Sequence, residues 1–435
     1  NTFDDAYMAS AIRFVSSHEV GHTFGLKHNM GASSSFPVDS LRSKTFTARM
    51  GGTASSIMDY ARFNYVAQPE DEVERITPVI GVYDKFAINW AYRWLDVKDP
   101  HEELPVLNQW ITKHSGDKMY WYGEQQDPKD PIDPRSQDED LGDDVIKANR
   151  YGIQNLKRIV PNIVAWTEAE GRGYLEAGKL LMAVINQWKM YAGHVTANVG
   201  GFYINNPVMG DDLERYVPVE KERQKEAVKY LSEEVFTVPE WLFAADVWKK
   251  SFPVRISPQE VEYSPYNTAR ELQYACFYDL LKDDRLMRMY EAEAMKGKKN
   301  VYTPEEMFAD LYQVVFKGSL QGRNLSLYER MTQKNFIVSS NKAVEKTTKK
   351  ALHTGYCCGF AAREAAFTLP EQPETRLSNM QYSSMGRVSE AVSVKRGVML
   401  QVLKLAERNR NAGNAETRQH YEDLVVRIKE ALNIR

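Results

Sequence analysis

Residues 18–28 read His-Glu-Val-Gly-His-Thr-Phe-Gly-Leu-Lys-His, and no other stretch constrains the chain so tightly. On a helix, His18 and His22 lie four residues apart and project from one face, so both imidazoles can reach a single ion. Glu19 sits beside that face, placed to hold a water rather than the metal and to take its proton as general base. Gly25 explains how a third ligand arrives: a helix usually ends where a residue adopts the left-handed conformation, which glycine enters without steric cost. The chain then turns back and brings His28 to the same ion. Three neutral imidazoles leave a fourth tetrahedral position open, which marks a catalytic rather than a structural zinc site. The expected cofactor is therefore one Zn2+ ion, which lowers the pKa of water to about 7 and polarises a carbonyl.

A second feature follows about thirty residues on, where Ser56-Ile57-Met58-Asp59-Tyr60 comes after the turn-forming Met50-Gly51-Gly52. The extended histidine string with a downstream Ser-Ile-Met-x-Tyr closely resembles the metzincin clan of zinc endopeptidases, in which a tight methionine turn lies beneath the metal. The resemblance implies that His18, His22 and His28 are ligands, Glu19 is the general base, and Met58 is the apolar floor. Tyr60 matches the tyrosine that astacin-like and serralysin-like members place near the metal, where it hydrogen-bonds the developing oxyanion. In the same clan the segment after the turn helps build the pocket for the residue beyond the scissile bond, which makes Arg62, Phe63 and Tyr65 a candidate specificity wall. Asn29, after the third histidine, is not the residue typical of the astacins, serralysins, matrixins or reprolysins, so the subfamily stays open.

The whole chain looks most like the large secreted bacterial zinc metalloproteases, in which a metzincin core precedes a mostly helical C-terminal region. That softer likeness rests on stretches such as Asp140-Leu141-Gly142-Asp143-Asp144 and Asn198-Val199-Gly200-Gly201. It implies a secreted, periplasmic or cell-surface location. Metzincin catalytic domains carry an N-terminal sheet subdomain that walls the cleft and pairs with substrate. Only seventeen residues precede His18 and the first is Asn1, so a fragment of a longer precursor is expected, with that segment as its missing partner.

The rest of the chain reads as mainly α, in three parts: a catalytic core at 1–95, an acidic Pro- and Asp-rich linker or loops at 96–145, and a helical region at 146–435. A first helix is expected from about Asp5 to Phe24, with Met8, Ile12 and Val15 at core spacing. Tyr83 to Tyr92 carries aromatics at helical spacing and closes the core. Asp127, Asp130, Asp133, Asp138, Asp140, Asp143 and Asp144 could offer oxygens to calcium, but the spacing matches no EF-hand, and a solvated loop is the better expectation. Further helices are expected where Leu181, Val184, Ile185 and Trp188 share a face, after the Thr303-Pro304-Glu305-Glu306 capping box, and where Tyr421, Leu424, Val425, Ile428 and Leu432 recur. Asn198 to Asn206 reads as a short strand or hairpin.

With 435 residues, 43% of them hydrophobic, the chain is long enough for two or more cores and is not a disordered one. A net charge of −3 carries no nucleic-acid footprint, and no apolar run reaches membrane-span length. Cys276, Cys357 and Cys358 form neither a metal cluster nor a disulfide framework. The leading function is a zinc endopeptidase hydrolysing peptide bonds with a metal-activated water. The competing class is a helical binding or assembly protein with a vestigial or structural zinc site; the intact Glu19 argues against it, since a structural site has no use for a general base. Hydrolysis of a non-peptide amide by the same chemistry stays open.

Overall fold

Asp4 starts the first helix by accepting the backbone N–H of Tyr7 at 2.7 Å, the usual acidic cap for exposed helix amides. In the computed structural model, which describes residues 4–61, 63–128, 130–210, 212–243, 246–250, 264–341 and 389–434, that helix, α1, spans Asp5–Thr23. Arg62, His353, Cys357 and Cys358 lie outside the described residues. After α1 come α2 (Lys44–Met50), α3 (Val82–Tyr92), α4 (Leu104–Lys113) and α5 (Val145–Ile159), joined by long, well-packed irregular segments. Among the described residues the only strands are β1 (Phe202–Ile204) and β2 (Tyr216–Pro218), an antiparallel pair with Tyr203 opposite Val217. The short strand expected within 198–206 is thus present, its partner coming from 216–218, and the fold is mainly α.

From α5 onward the helices surround one large apolar cluster that includes Trp188, Tyr230, Phe277, Phe336 and Leu424. The helix Leu175–Thr196 buries Leu181, Val184, Ile185 and Trp188 as its periodicity predicts. Thr303 and Glu306 close a reciprocal capping box, each side chain accepting the other's backbone N–H at 3.2 Å, and Met307, Phe308, Leu311 and Val315 follow into the core. The helices Glu390–Arg408 and Ala415–Leu432 pack together. Cys276 is a buried, unpaired thiol.

A second, smaller cluster lies under residues 29–66. It is built from Ala32, Phe36, Val38, Leu41, Ala54, Ala61 and Val66, with Leu141 and Ala148 contributed from further along the chain. Tyr65 packs against both clusters, its ring 5.0 Å from that of Tyr191 and its hydroxyl donating to Asn149 at 3.1 Å.

Two expectations are corrected here. Met8, Ile12 and Val15 are not core residues but 40, 60 and 55% exposed. Of α1 only His18 and Gly21 are buried, because the helix docks through the flank that carries them, and periodicity finds a stripe without saying what covers it. Nor is the acidic stretch solvated throughout. Asp133 and Asp140 are buried, Asp133 accepting the Ile204 N–H and pairing with Arg135, both at 2.7 Å. Asp143 accepts the Val38 N–H at 3.1 Å, and Asp144 caps α5 through the Lys147 N–H. Asp133 and Asp140 are thus held by protein donors, whereas Asp144 is partly buried and Asp127 and Asp143 stay exposed. Among the described residues no helix is long and apolar enough to cross a membrane.

Candidate metal centre

The helix that carries His18 and His22 ends in a paired turn. Gly25 N–H donates to the His22 carbonyl at 2.9 Å, Leu26 N–H donates to the Gly21 carbonyl at 3.2 Å, and Gly25 takes φ of +79°. This is the left-handed glycine termination expected, and it returns the chain so that His28 faces the helix.

Each ring is then fixed through its Nδ1. His18 donates to the Ile57 carbonyl at 2.8 Å, His22 to the Leu26 carbonyl at 2.9 Å, and His28 to Oε1 of Gln125 at 2.7 Å. Oxygen acceptors require the proton on Nδ1, so the three Nε2 atoms all present lone pairs. The candidate ligand atoms of the three rings lie within 4.8 Å of one another. Nε2 of His22 and of His28 are 3.1 Å apart, and Nε2 of His18 is buried with no hydrogen-bond partner. Lone pairs facing each other at that distance repel unless a cation lies between them. Two nitrogens on a tetrahedral zinc, at Zn–N of about 2.0–2.1 Å, would sit roughly 3.3 Å apart. The donor set therefore fits zinc. Burial pushes the His18 imidazole below its ordinary value, which favours the neutral form that a ligand needs.

Met58 lies beneath, fully buried. A Cβ on Gly21 would meet its sulfur at 2.4 Å, so a side chain at position 21 would displace the methionine from its place against the helix. Tyr60 stands beside the triad, its ring 5.2 Å from His18 and 4.6 Å from His28. Glu19 is exposed on the open side of α1. Of the remaining sequence candidates, Phe63 is 39% exposed and stacks on Tyr7, whereas Tyr65 is turned inward between the two apolar clusters.

Several positioning residues escaped the sequence reading. Asp84 accepts from the Ser56 hydroxyl and from the N–H groups of Ile57 and Gly81, at 2.5, 2.7 and 2.7 Å, and so ties the methionine turn to the start of α3. Asn29 donates to the Trp121 carbonyl and accepts the Gly123 N–H, which holds the strand of chain that delivers Gln125 to His28. Asp59 accepts the N–H groups of Ser33 and Ala61 at 2.6 and 2.8 Å, while the Ser33 hydroxyl donates to Asp140 at 3.0 Å. Burial pushes Asp59 up to about 7, with Asp138 raising it further, and pushes Asp140 well above the usual carboxylate range, with Asp59 raising it further. Only Asp84 left a local signal, as third residue of a helix opening on Gly81. The others act across 26 to 107 positions of sequence, where no spacing rule reaches.

An open three-imidazole site of this kind, with a carboxylate beside it and a methionine turn below, belongs to the zinc-hydrolase class rather than to closed structural sites. The Met-zincin family model matches residues 1–322, and the chain belongs to that family of metzincin-clan zinc metalloproteases. The match runs well past the zinc motif into the helical body. No curated protein and no solved structure matches the chain.

Proposed function

We propose that the protein is a zinc-dependent endopeptidase. The observation that carries the reading is the commitment of all three Nδ1 protons to oxygen acceptors, which leaves three convergent Nε2 lone pairs with Glu19 on the adjoining exposed face. His18, His22 and His28 would hold one Zn2+. When bound, the ion acts as a Lewis acid toward a scissile carbonyl and acidifies water. Glu19 takes a proton from the attacking water as the water oxygen bonds to the peptide carbon. Tyr60 donates its hydroxyl proton in a hydrogen bond to the oxyanion. Glu19 then passes its proton to the departing nitrogen as the C–N bond breaks, so the carboxylate is regenerated. In the same reading the exposed stripe of Met8, Ile12 and Val15, which leads along α1 to Glu19, seats an upper cleft wall, and the protein acts outside the cytoplasm.

The test is metal content and turnover measured together. Glu19→Gln is expected to keep zinc near one equivalent and to lose cleavage by about 10²–10⁴-fold. Cleavage that survives the substitution would reject Glu19 as the base. Zinc without cleavage in either protein would favour the binding-protein alternative.

A further inference from the structure

A cavity of about 560 Å³ is walled on one side by α3, the helix whose Asp84 anchors the methionine turn. Tyr83, Phe86 and Trp90, at i, i+3 and i+7, line it from one face of that helix. Trp121 and Tyr122 line it from the opposite side. Both walls are continuous with the zinc site. Asp84, one residue after Tyr83, anchors the methionine turn, and Gln125, three residues after Tyr122, holds His28. The residues after the methionine turn take no part in its lining, so it is distinct from a pocket built by Phe63 and Tyr65.

The walls are held rigid by their own contacts. Tyr83 stacks on Tyr122 at 6.3 Å and Phe86 meets Tyr120 edge to face at 5.4 Å. Arg135 lies 4.1 Å over Trp121 and is paired with buried Asp133 at 2.7 Å. Several polar side chains in the lining are committed within the protein, while the buried indole N–H of Trp121 has no hydrogen-bond partner. Asn205 donates to the Glu214 carbonyl and accepts from Arg135, Asp143 accepts from Val38, and Ser34 donates to the Gly31 carbonyl. A sugar needs many hydrogen bonds from such a lining, whereas an apolar side chain needs only area to bury.

We infer that this aromatic cavity is a substrate subsite that takes a large apolar side chain, aromatic above all, of a polypeptide lying across the zinc site. The inference rests on the peptidase reading for its substrate class. A volume of about 560 Å³ exceeds one side chain, so the occupant enters with part of its flanking backbone. Its preference is for Phe, Tyr or Trp at a fixed distance from the scissile bond.

The test uses blocked pentapeptides with Phe or Ala at each position in turn. They are titrated into zinc-loaded Glu19→Gln protein, and offered for cleavage to the protein with Glu19 intact. At one position Phe is expected to bind about 10- to 100-fold more tightly than Ala. Ala87→Trp fills the cavity from α3, and Trp90→Ala removes a half-exposed wall residue. Each is expected to bring that ratio toward one, with zinc content and circular dichroism unchanged. A ratio that survives both substitutions overturns the subsite, whether or not peptides are cleaved. A Phe preference abolished by both, in a protein that cleaves nothing, supports the cavity and overturns the peptidase reading. Tighter binding of a neutral oligosaccharide than of any peptide, lost in both variants, overturns it in favour of a carbohydrate occupant.

Discussion

Helix α1 and the helix Leu175–Thr196 are of similar length, 19 and 22 residues, and each carries an apolar stripe at helical spacing. The second buries its stripe among other helices, from Leu181 to Val195. The first leaves Met8, Ile12 and Val15 exposed and buries a histidine and a glycine instead. The contrast extends to the regions around them. The helical body is held by one large apolar cluster, whereas the metal-site region combines a smaller one with buried carboxylates, Asp59 and Asp84, that each accept several backbone or hydroxyl donors. A core of the first kind tolerates approximate geometry, since burial is not directional. The second kind holds atoms at fixed distances, because hydrogen bonds are directional and buried polar groups are costly to leave unpaired. Zinc ligands need the second.

The contrast can be broken most sharply by deleting one member of each kind. Phe277→Ala, in a fully buried position, is expected to cost about 3–5 kcal/mol of stability in denaturant unfolding and to leave zinc affinity unchanged. Asp84→Ala is expected to cost about 2–3 kcal/mol and also to weaken zinc about 10- to 100-fold, as for other groups that orient ligands. Equal effects of both on zinc, by competition with a chelator, would show that the two regions are not separable in this way.

The two regions should also respond oppositely to pH. Burial pushes Asp59 up to about 7 from the ordinary 3.8, so the folded protein holds a proton that the unfolded chain releases. The stability this contributes is full below about pH 4 and is lost as pH rises through about 7. His420, in the helical body, is pushed down to about 3 from 6.5, first by burial and then by Lys334. Its contribution is full above pH 6.5 and is lost as pH falls through about 3. In calorimetric scans from pH 4 to 8, Asp59→Asn should therefore raise the melting temperature more at pH 8 than at pH 5. His420→Leu should help more at pH 4 than at pH 7. Parallel shifts at all pH values would remove this distinction.

The smallest effect is expected at the seam. Arg158 and Glu70 pair across the two regions at 2.7 Å, with both side chains largely exposed. Arg158→Ala should change neither melting temperature nor zinc affinity measurably, as is usual for solvated ion pairs.

Much of the helical body was legible in the sequence because its information is local. A capping box at Thr303–Glu306 and a stripe at Tyr421, Leu424 and Ile428 each state their own structure within one or two turns. The zinc ligands were legible for the same reason, since four- and six-residue spacings on a helix and its glycine turn place three rings without help from elsewhere. The acidic stretch was misread because composition reports the charge of Asp133 and Asp140 but not the amide, hydroxyl and guanidinium donors that receive them from residues 204, 33 and 135.

The sequence by itself determined which residues can bind a metal, where the helix carrying them stops, and which later helices bury which face. Tertiary structure alone decided which nitrogen His18 and His28 present, because Ile57 and Gln125 claim their Nδ1 protons, while Leu26 does the same for His22 within its own turn. It also decided that α1 buries its histidine flank and not its apolar stripe, and that α3 turns three aromatics toward a cavity. Spacing along a chain sets the direction of a side chain relative to its own helix, while the partner it meets depends on the position of every other element.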